Sequence, residues 1–301
     1  MNISIAMATY NGAKFIREQI DSILAQSIQD FEVVISDDCS TDDTWKILKE
    51  YSQNDYRIKV FQNEKNLGIK DNFERALRLC KGEFIALSDQ DDIWLPNHLE
   101  ILMDAMEDNV QIVCARPLFV DEDNKILPRK YDYFKMDLIP KKANDIARHI
   151  ILESNTYQGA SMLIRKNFLD VALPIPGASH FHDNWFALLS CFTGGLLYVD
   201  KPILRYRRSV HSVTIDRMHN SPLRKIIGIT INSHYSDERL AFIKAIRTRV
   251  GSLEADQRAL LNCMENMLLR RNSLIGRILN LPYLLIHFRV IYATRLRFLF
   301  V

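Results

Sequence analysis

Three carboxylates fall within four residues at Asp89-Gln90-Asp91-Asp92. Held close together on a turn, such groups repel one another, and burial adds to the cost of keeping them ionised. A hard divalent cation relieves both. Mg²⁺ in particular is bound through one or two carboxylates together with the phosphates of a substrate. A solvated acidic turn is the plainer alternative. Placement favours the cation, because the apolar, strand-like run Phe84 to Ser88 leads directly into the cluster. Trp94, just beyond, is either a wall of that pocket or a core residue.

A second acidic cluster, Asp37-Asp38-Cys39-Ser40-Thr41-Asp42, follows another apolar run, Phe31 to Ser36. A carboxylate at a strand end can accept hydrogen bonds from a nucleobase N–H or from ribose hydroxyls. Ser40 or Thr41 also reads as a helix N-cap with acidic company, which leaves the paired Asp37-Asp38 unexplained. The chain has neither GxxxxGK[ST] nor GxGxxG. Phosphates would therefore lack a glycine cradle, and a metal at Asp89 and Asp91 is the natural substitute. The third feature is His180-Phe181-His182-Asp183-Asn184-Trp185. Two imidazoles on one face of a strand would make half a zinc site, but no cysteine or further histidine is placed as a partner. Asp183 also suits the preference for negative charge at the start of a helix.

The elements that must hold these residues alternate. Strands are expected at Ile3 to Ala8, Phe31 to Ser36, Arg57 to Gln62 and Phe84 to Ser88. Between them, helical periodicity runs over Lys14 to Ser27, Thr41 to Tyr51, and Asp71 to Cys80, the last closed by Gly82. This βαβα order predicts an α/β fold with a mostly parallel sheet flanked by helices. Ligands of such folds sit beyond the C-terminal strand ends, where both acidic clusters fall. Further strands are expected at Gln111 to Arg116, Tyr157 to Arg165, Leu196 to Val199 and Ile203 to Arg208, with a helix over Asp183 to Phe192. Residues 121–145 read as a polar loop or flap. From about Leu223 the pattern becomes helical.

The 301 residues are 48% hydrophobic and 25% charged, with a formal net charge of +2. One large domain with an appendage fits that length. The composition is not that of a disordered chain, and the charge gives no reason to expect a nucleic-acid partner. Five scattered cysteines without CxxC spacing point to reduced thiols. The start lacks a basic leader followed by an apolar run, and no stretch is apolar for the roughly 18 residues a spanning helix needs. The expectation is therefore a cytoplasmic protein.

Taken together, the segments resemble the inverting family 2 glycosyltransferases with the GT-A fold. Those that match are Ala8-Thr9-Tyr10-Asn11-Gly12, Val34 to Asp42, Asn66-Leu67-Gly68, Gly82 to Trp94 and His182-Asp183-Asn184-Trp185. The SDQDDIW form is most similar to bacterial enzymes of surface-polysaccharide assembly, O-antigen and capsule among them, many of them rhamnosyltransferases. The resemblance implies a GT-A domain over residues 1–220 and a helical extension over 221–301. It implies that Thr9, Tyr10, Asn11, Asn66, Gly68, Lys70 and Gln90 serve the donor pocket and that Asp37 and Asp38 meet the base or ribose. Asp89 would stand near the ribose and sugar, Asp91 would bind Mg²⁺ or Mn²⁺ with Asp89 beside it, and Asp183 would be the catalytic base. Tyr206-Arg207-Arg208-Ser209-Val210-His211 is similar to a late motif that often reads Tyr-Arg-x-His. Ser209 takes the histidine's place, which puts a phosphate or metal role for His211 in doubt; Arg207 and Arg208 could supply charge to the pyrophosphate instead, or form surface salt bridges.

The function so implied is inverting transfer of a sugar from dTDP-rhamnose or a UDP-hexose to a hydroxyl of a growing, lipid-linked bacterial glycan. An inactive GT-A scaffold that binds sugar nucleotides in an assembly complex is the alternative, and the presence of Asp89, Asp91 and Asp183 argues against it. Residues 274–301 mix Leu, Ile and Phe with Arg277, His287, Arg289, Arg295 and Arg297. That composition suits a peripheral contact with the anionic inner face of the plasma membrane; packing on the core or a homodimer interface are the other readings.

Overall fold

A computed structural model describes residues 2–127, 139–152, 155–179, 181–208 and 233–270. Strands β1 (Ile3–Thr9), β2 (Phe31–Asp37), β3 (Ile58–Gln62) and β4 (Phe84–Ser88) are joined by helices α1 (Ile16–Leu24), α2 (Thr44–Asn54) and α3 (Ile69–Leu79). After β5 (Ile93–Trp94) come α4 (His98–Asp104), β6 (Ile112–Val120), α5 (Ala143–Leu152) and β7 (Met162–Arg165). Short α6 (Leu169–Ala172), α7 (His182–Ser190), β8 (Leu196–Arg207), α8 (Ser233–Arg249) and α9 (Ala255–Arg270) complete the order.

The strands form one sheet in the order β3-β2-β1-β4-β7-β6-β8-β5. β1 to β4 pair in parallel, as expected of buried βαβ units. β7 turns the direction, running antiparallel to both β4 and β6. β6 and β8 are parallel, and β5 is antiparallel to β8. The sheet is thus parallel in its first half and mixed in its second. One apolar layer packs Ile16, Ile20 and Ile23 of α1 under the first strands. The other face gathers α3, α5 and α7 with Phe242, Ile246, Leu261 and Met264 of the last two helices. Trp185 lies 5.5 Å from Phe242, ring to ring, so α8 packs against the same core as α7.

Several expectations shift. The run expected as a strand over Tyr157 to Arg165 is strand only from Met162; Gly159–Ser161 form a 3₁₀ turn. The two strands expected at Leu196 to Val199 and Ile203 to Arg208 are one, with irregular pairing near Arg116. Helix α3 ends at Leu79, and Gly82 is not its left-handed cap. A Cβ there would meet Ser4 N at 2.6 Å and Ile3 C at 2.8 Å, so glycine is required by the backbone of β1 passing alongside. Part of the 121–145 segment, the boundary near residue 220 and the tail 274–301 lie outside the described residues. No helix of the described residues is long and apolar enough to cross a membrane.

Candidate active site

Register places Thr9 opposite Asp37 and Met7 opposite Ser88, so β1, β2 and β4 end side by side. The chain beyond them carries both acidic clusters and the Tyr10-Asn11-Gly12 turn. Gln90 locks that turn to the acidic one: its amide accepts from Tyr10 N at 2.9 Å and donates to Tyr10 O at 3.0 Å. A Cβ on Gly12 would sit 2.3 Å from Gln90 Oε1, so the small residue lets the clamp close. Asn11 adopts a positive φ of 48° and accepts from Thr41 N. Tyr10 is nearly half exposed at the rim.

Asp37 and Asp38 are buried, and their oxygens are used within the chain. Asp37 accepts from Thr9 Oγ1, Ser40 N, Ser40 Oγ and Gln62 Nε2. Asp38 accepts from Asn63 Nδ2 at 2.7 Å, Leu67 N at 2.7 Å and Gly68 N at 2.8 Å. The pair therefore shapes the loops around the cleft. Asn66 donates weakly to Asp38 O and accepts from Gly68 N. Gly68, at φ +84°, starts α3 where a side chain would be strained. Ser40 does not cap α2, which begins at Thr44; its hydroxyl serves Asp37 and Asn11 instead. Lys70 stands 3.1 Å from Asp71 at the start of α3.

The three carboxylates after β4 share one electrostatic problem. Burial pushes Asp89 up to about 7, with the charges of Asp91 and then Asp183 adding to it. Burial also raises Asp91, opposed by Arg207. Asp92 is raised well above the carboxylate range by burial and its two neighbours, against the Arg207 backbone N–H and charge. Asp92 Oδ2 is a buried oxygen with no hydrogen-bond partner in the structure. Asp183, in the first turn of α7, is pushed up to about 6 by burial, with hydrogen bonds from Asn184 N and the Asn155 side chain working the other way. Tyr206 of β8 feels the same field: burial, and then the charges of Asp89, Asp92, Asp91 and Asp183, hold its hydroxyl protonated.

This donor set fits a divalent cation. Excess carboxylate charge with an orphaned oxygen is the environment a hard cation neutralises. Among the described residues no group of three His, Cys, Asp or Glu side chains is placed to hold a metal ion. A cation here would be held by one or two carboxylates plus phosphate oxygens. His182 does not extend the set toward zinc. It is buried against Phe73, ring centroids 4.1 Å apart, and burial lowers it to about 3. His180, Ser209 and His211 lie outside the described residues.

Two expected donor contacts stand elsewhere. Trp94 takes the core reading: it is 2% exposed and stacks on His98 at 3.7 Å. Arg207 is 3% exposed, and each of its three guanidinium nitrogens is engaged with protein oxygens. It lies behind the acidic turn and does not face an open pocket. Asn155, which bonds Asp183, and Glu18 and Phe15, which engage Arg207 behind the acidic turn, were not legible in the sequence, because each contact joins distant segments.

A sequence model of glycosyl transferase family 2 matches residues 4–171. An uncharacterized glycosyltransferase of Methanocaldococcus jannaschii, MJ1057, is 37% identical over 139 residues, 44% of this chain and 48% of that protein. Chondroitin synthase of Escherichia coli is 35% identical over 133 residues, 44% of this chain and 19% of that protein. The E. coli UDP-Glc:alpha-D-GlcNAc-diphosphoundecaprenol beta-1,3-glucosyltransferase WfgD is 32% identical over 139 residues, 44% of this chain and 54% of that protein. The matched region spans about half the length of these relatives or less. Among solved structures, S. aureus TarS 1-349 in complex with UDP superposes with a TM-score of 0.60 at 21% identity, covering 90% of this chain and 71% of that one. The mannosyltransferase PcManGT of Pyrobaculum calidifontis in complex with GDP-Man and Mn²⁺ gives 0.55 at 18% identity, covering 96% and 84%. Those structures share its GT-A fold, and by the matched sequence the chain belongs to glycosyl transferase family 2.

Proposed function

We propose that this protein is a metal-dependent, inverting glycosyltransferase. It moves a sugar from a nucleoside-diphosphate sugar to a hydroxyl of a lipid-linked bacterial surface glycan. The observation that carries the reading is the gathering of Asp89, Asp91 and Asp92 in the turn after β4, near enough to Asp183 in the first turn of α7 for its charge to raise Asp89. The activity that WfgD is named for, and the donor and Mn²⁺ bound to PcManGT, support it by likeness.

Asp91, with Asp89, would hold Mg²⁺ or Mn²⁺. Bound there, the cation supplies charge stabilisation for the departing nucleoside diphosphate. Asp183 removes the proton from the acceptor hydroxyl as it attacks the anomeric carbon from the face opposite the leaving group. A pKa near 6 suits a general base. Above that value the group is ionised, yet it is basic enough to take a proton near neutrality. One displacement with one base inverts the anomeric centre, whereas a glycosidase would need two carboxylates flanking the bond. Asp38 holds Leu67 and Gly68 in the conformation that borders the donor cleft. Tyr10, nearly half exposed, is open to the donor, whereas Thr9 is buried and acts through its bond to Asp37. The segment 274–301 brings the enzyme to the inner leaflet, where a lipid-linked acceptor resides.

A donor screen tests this reading. Thermal stability is measured with dTDP-, UDP- and GDP-sugars, with and without Mn²⁺. One nucleotide class should stabilise the protein, and only when metal is present. If no donor stabilises it in either condition, the reading fails.

A further inference from the structure

We infer that Arg207 is a positioning residue for the metal-binding turn: it aims Asp91 and Asp92 and touches neither metal nor phosphate itself. The inference rests on the assignment of Asp91 to the cation. Arg207 is the last residue of β8, paired in register with Val120. From there it reaches three other segments. Its backbone N–H donates to Asp92 Oδ1 at 3.1 Å, and Nε donates to Asp91 O at 2.9 Å. Nη1 donates to Glu122 O at 2.6 Å in the turn after β6, and Nη2 pairs with the Glu18 carboxylate of α1. The guanidinium lies 4.4 Å from the Phe15 ring centroid. A second ion pair, Lys14 to Glu122 at 2.6 Å, draws the start of α1 to the same turn.

These contacts fix the Asp91-Asp92 peptide from behind. The carbonyl of Asp91 and one oxygen of Asp92 are both held, so the Asp91 side chain leaves the turn in one direction. A planar fork places its donors on three separate nitrogens and can meet acceptors on three segments at once; an ammonium offers its three donors from a single nitrogen and cannot span them. The Arg207 charge acts on the same two carboxylates, favouring their ionised forms against the burial that raises both. Groups that orient ligating carboxylates in this way commonly set metal affinity by about 10–100-fold.

The experiment is Mn²⁺ binding to the full chain, with and without UDP, read by electron paramagnetic resonance of the free ion against a protein-free control. Wild type, Asp91→Ala, Arg207→Lys and Arg207→Met are compared. Hydrogen exchange of the peptides spanning residues 89–94 is followed in parallel. Wild type should bind and Asp91→Ala should not. Both Arg207 variants should bind at least about tenfold more weakly, with faster exchange confined to the acidic turn and the turn after Val120. If Arg207→Lys binds like wild type, directional bonding is not what matters and the inference is overturned. If the exchange rises equally across β1, β2 and β4, the residue is a general stabiliser and the inference is likewise overturned. Should Arg207→Met fail to fold, Glu18→Gln takes its place, because Glu18 is more than half exposed; unchanged exchange at 89–94 in that variant counts against the inference. Wild type that binds no Mn²⁺, or Asp91→Ala that binds it fully, refutes the metal assignment itself, an outcome distinct from the others.

Discussion

Asp183→Asn should make the protein more stable above neutrality while removing its catalytic base. In the folded protein the Asp183 carboxyl is pushed from 3.8 up to about 6, chiefly by burial. The folded state therefore binds this proton more tightly than the unfolded chain does. Below about pH 4 the group is protonated in both states and costs nothing. As pH rises from about 4 to about 6 the penalty of a buried anion grows, and above that it is complete. A shift of that size corresponds to at most about 3 kcal/mol. Asp183 is part-exposed, and solvent screening around it brings the expected figure nearer about 1–2 kcal/mol. Asparagine keeps the shape and carries no charge, so it should recover that amount near pH 7.5 and almost nothing near pH 4. Urea melts of both proteins at the two pH values give the difference directly, in the absence of metal and nucleotide. A variant less stable than wild type at about pH 7.5, or a gain that is the same at both pH values, would refute the reasoning.

Asp38→Ala should weaken donor binding through its loop. It strands Leu67 N and takes one of the two acceptors of Gly68 N, at about 1–3 kcal/mol for the lost bonds, and calorimetry with unchanged affinity would dismiss it. Gly82→Ala should destabilise by about 1–3 kcal/mol, since the added carbon meets β1 backbone at 2.6 Å; a neutral result in chemical denaturation would show that β1 can move. Wild type should bind anionic vesicles at low salt and release them as salt rises, and deleting 279–301 should abolish this while sparing donor binding. Indifference of the wild type to such vesicles would leave the tail to core packing or a dimer interface.

The strands and helices of the first half were legible because each is a continuous apolar run or a helical stripe, and the acidic residues stand at strand ends that such a fold exposes. The parallel ordering of β1 to β4 followed from the same alternation. What the sequence hid is set by contacts between distant segments. The exchange of direction at β7 depends on how Met162–Arg165 pairs with β4 and β6, which no local pattern encodes. Trp94 had two readings that only its stacking on His98 separates. Arg207 resembled a phosphate ligand, yet Glu18, Glu122 and Asp91, all far away in sequence, fill its donors. Asp37 and Asp38 stood out as chemistry, but their burial and their partners at Thr9, Asn63 and Gly68 show that they also shape loops. Gly82 read as a helix stop, because the close passage of β1 leaves no trace in the neighbouring residues.

The most direct test is transfer of labelled sugar to an envelope-lipid extract of the source organism, from the donor selected in the stability screen. Wild type is assayed with Mn²⁺ and with EDTA, and Asp183→Asn with Mn²⁺, with donor affinity measured on the same samples. Wild type should transfer only with metal. Asp183→Asn should turn over about 10²–10⁴-fold more slowly while binding the donor within about twofold of wild type. Transfer that proceeds equally well in EDTA, or an Asp183→Asn variant that keeps wild-type turnover, would contradict the account.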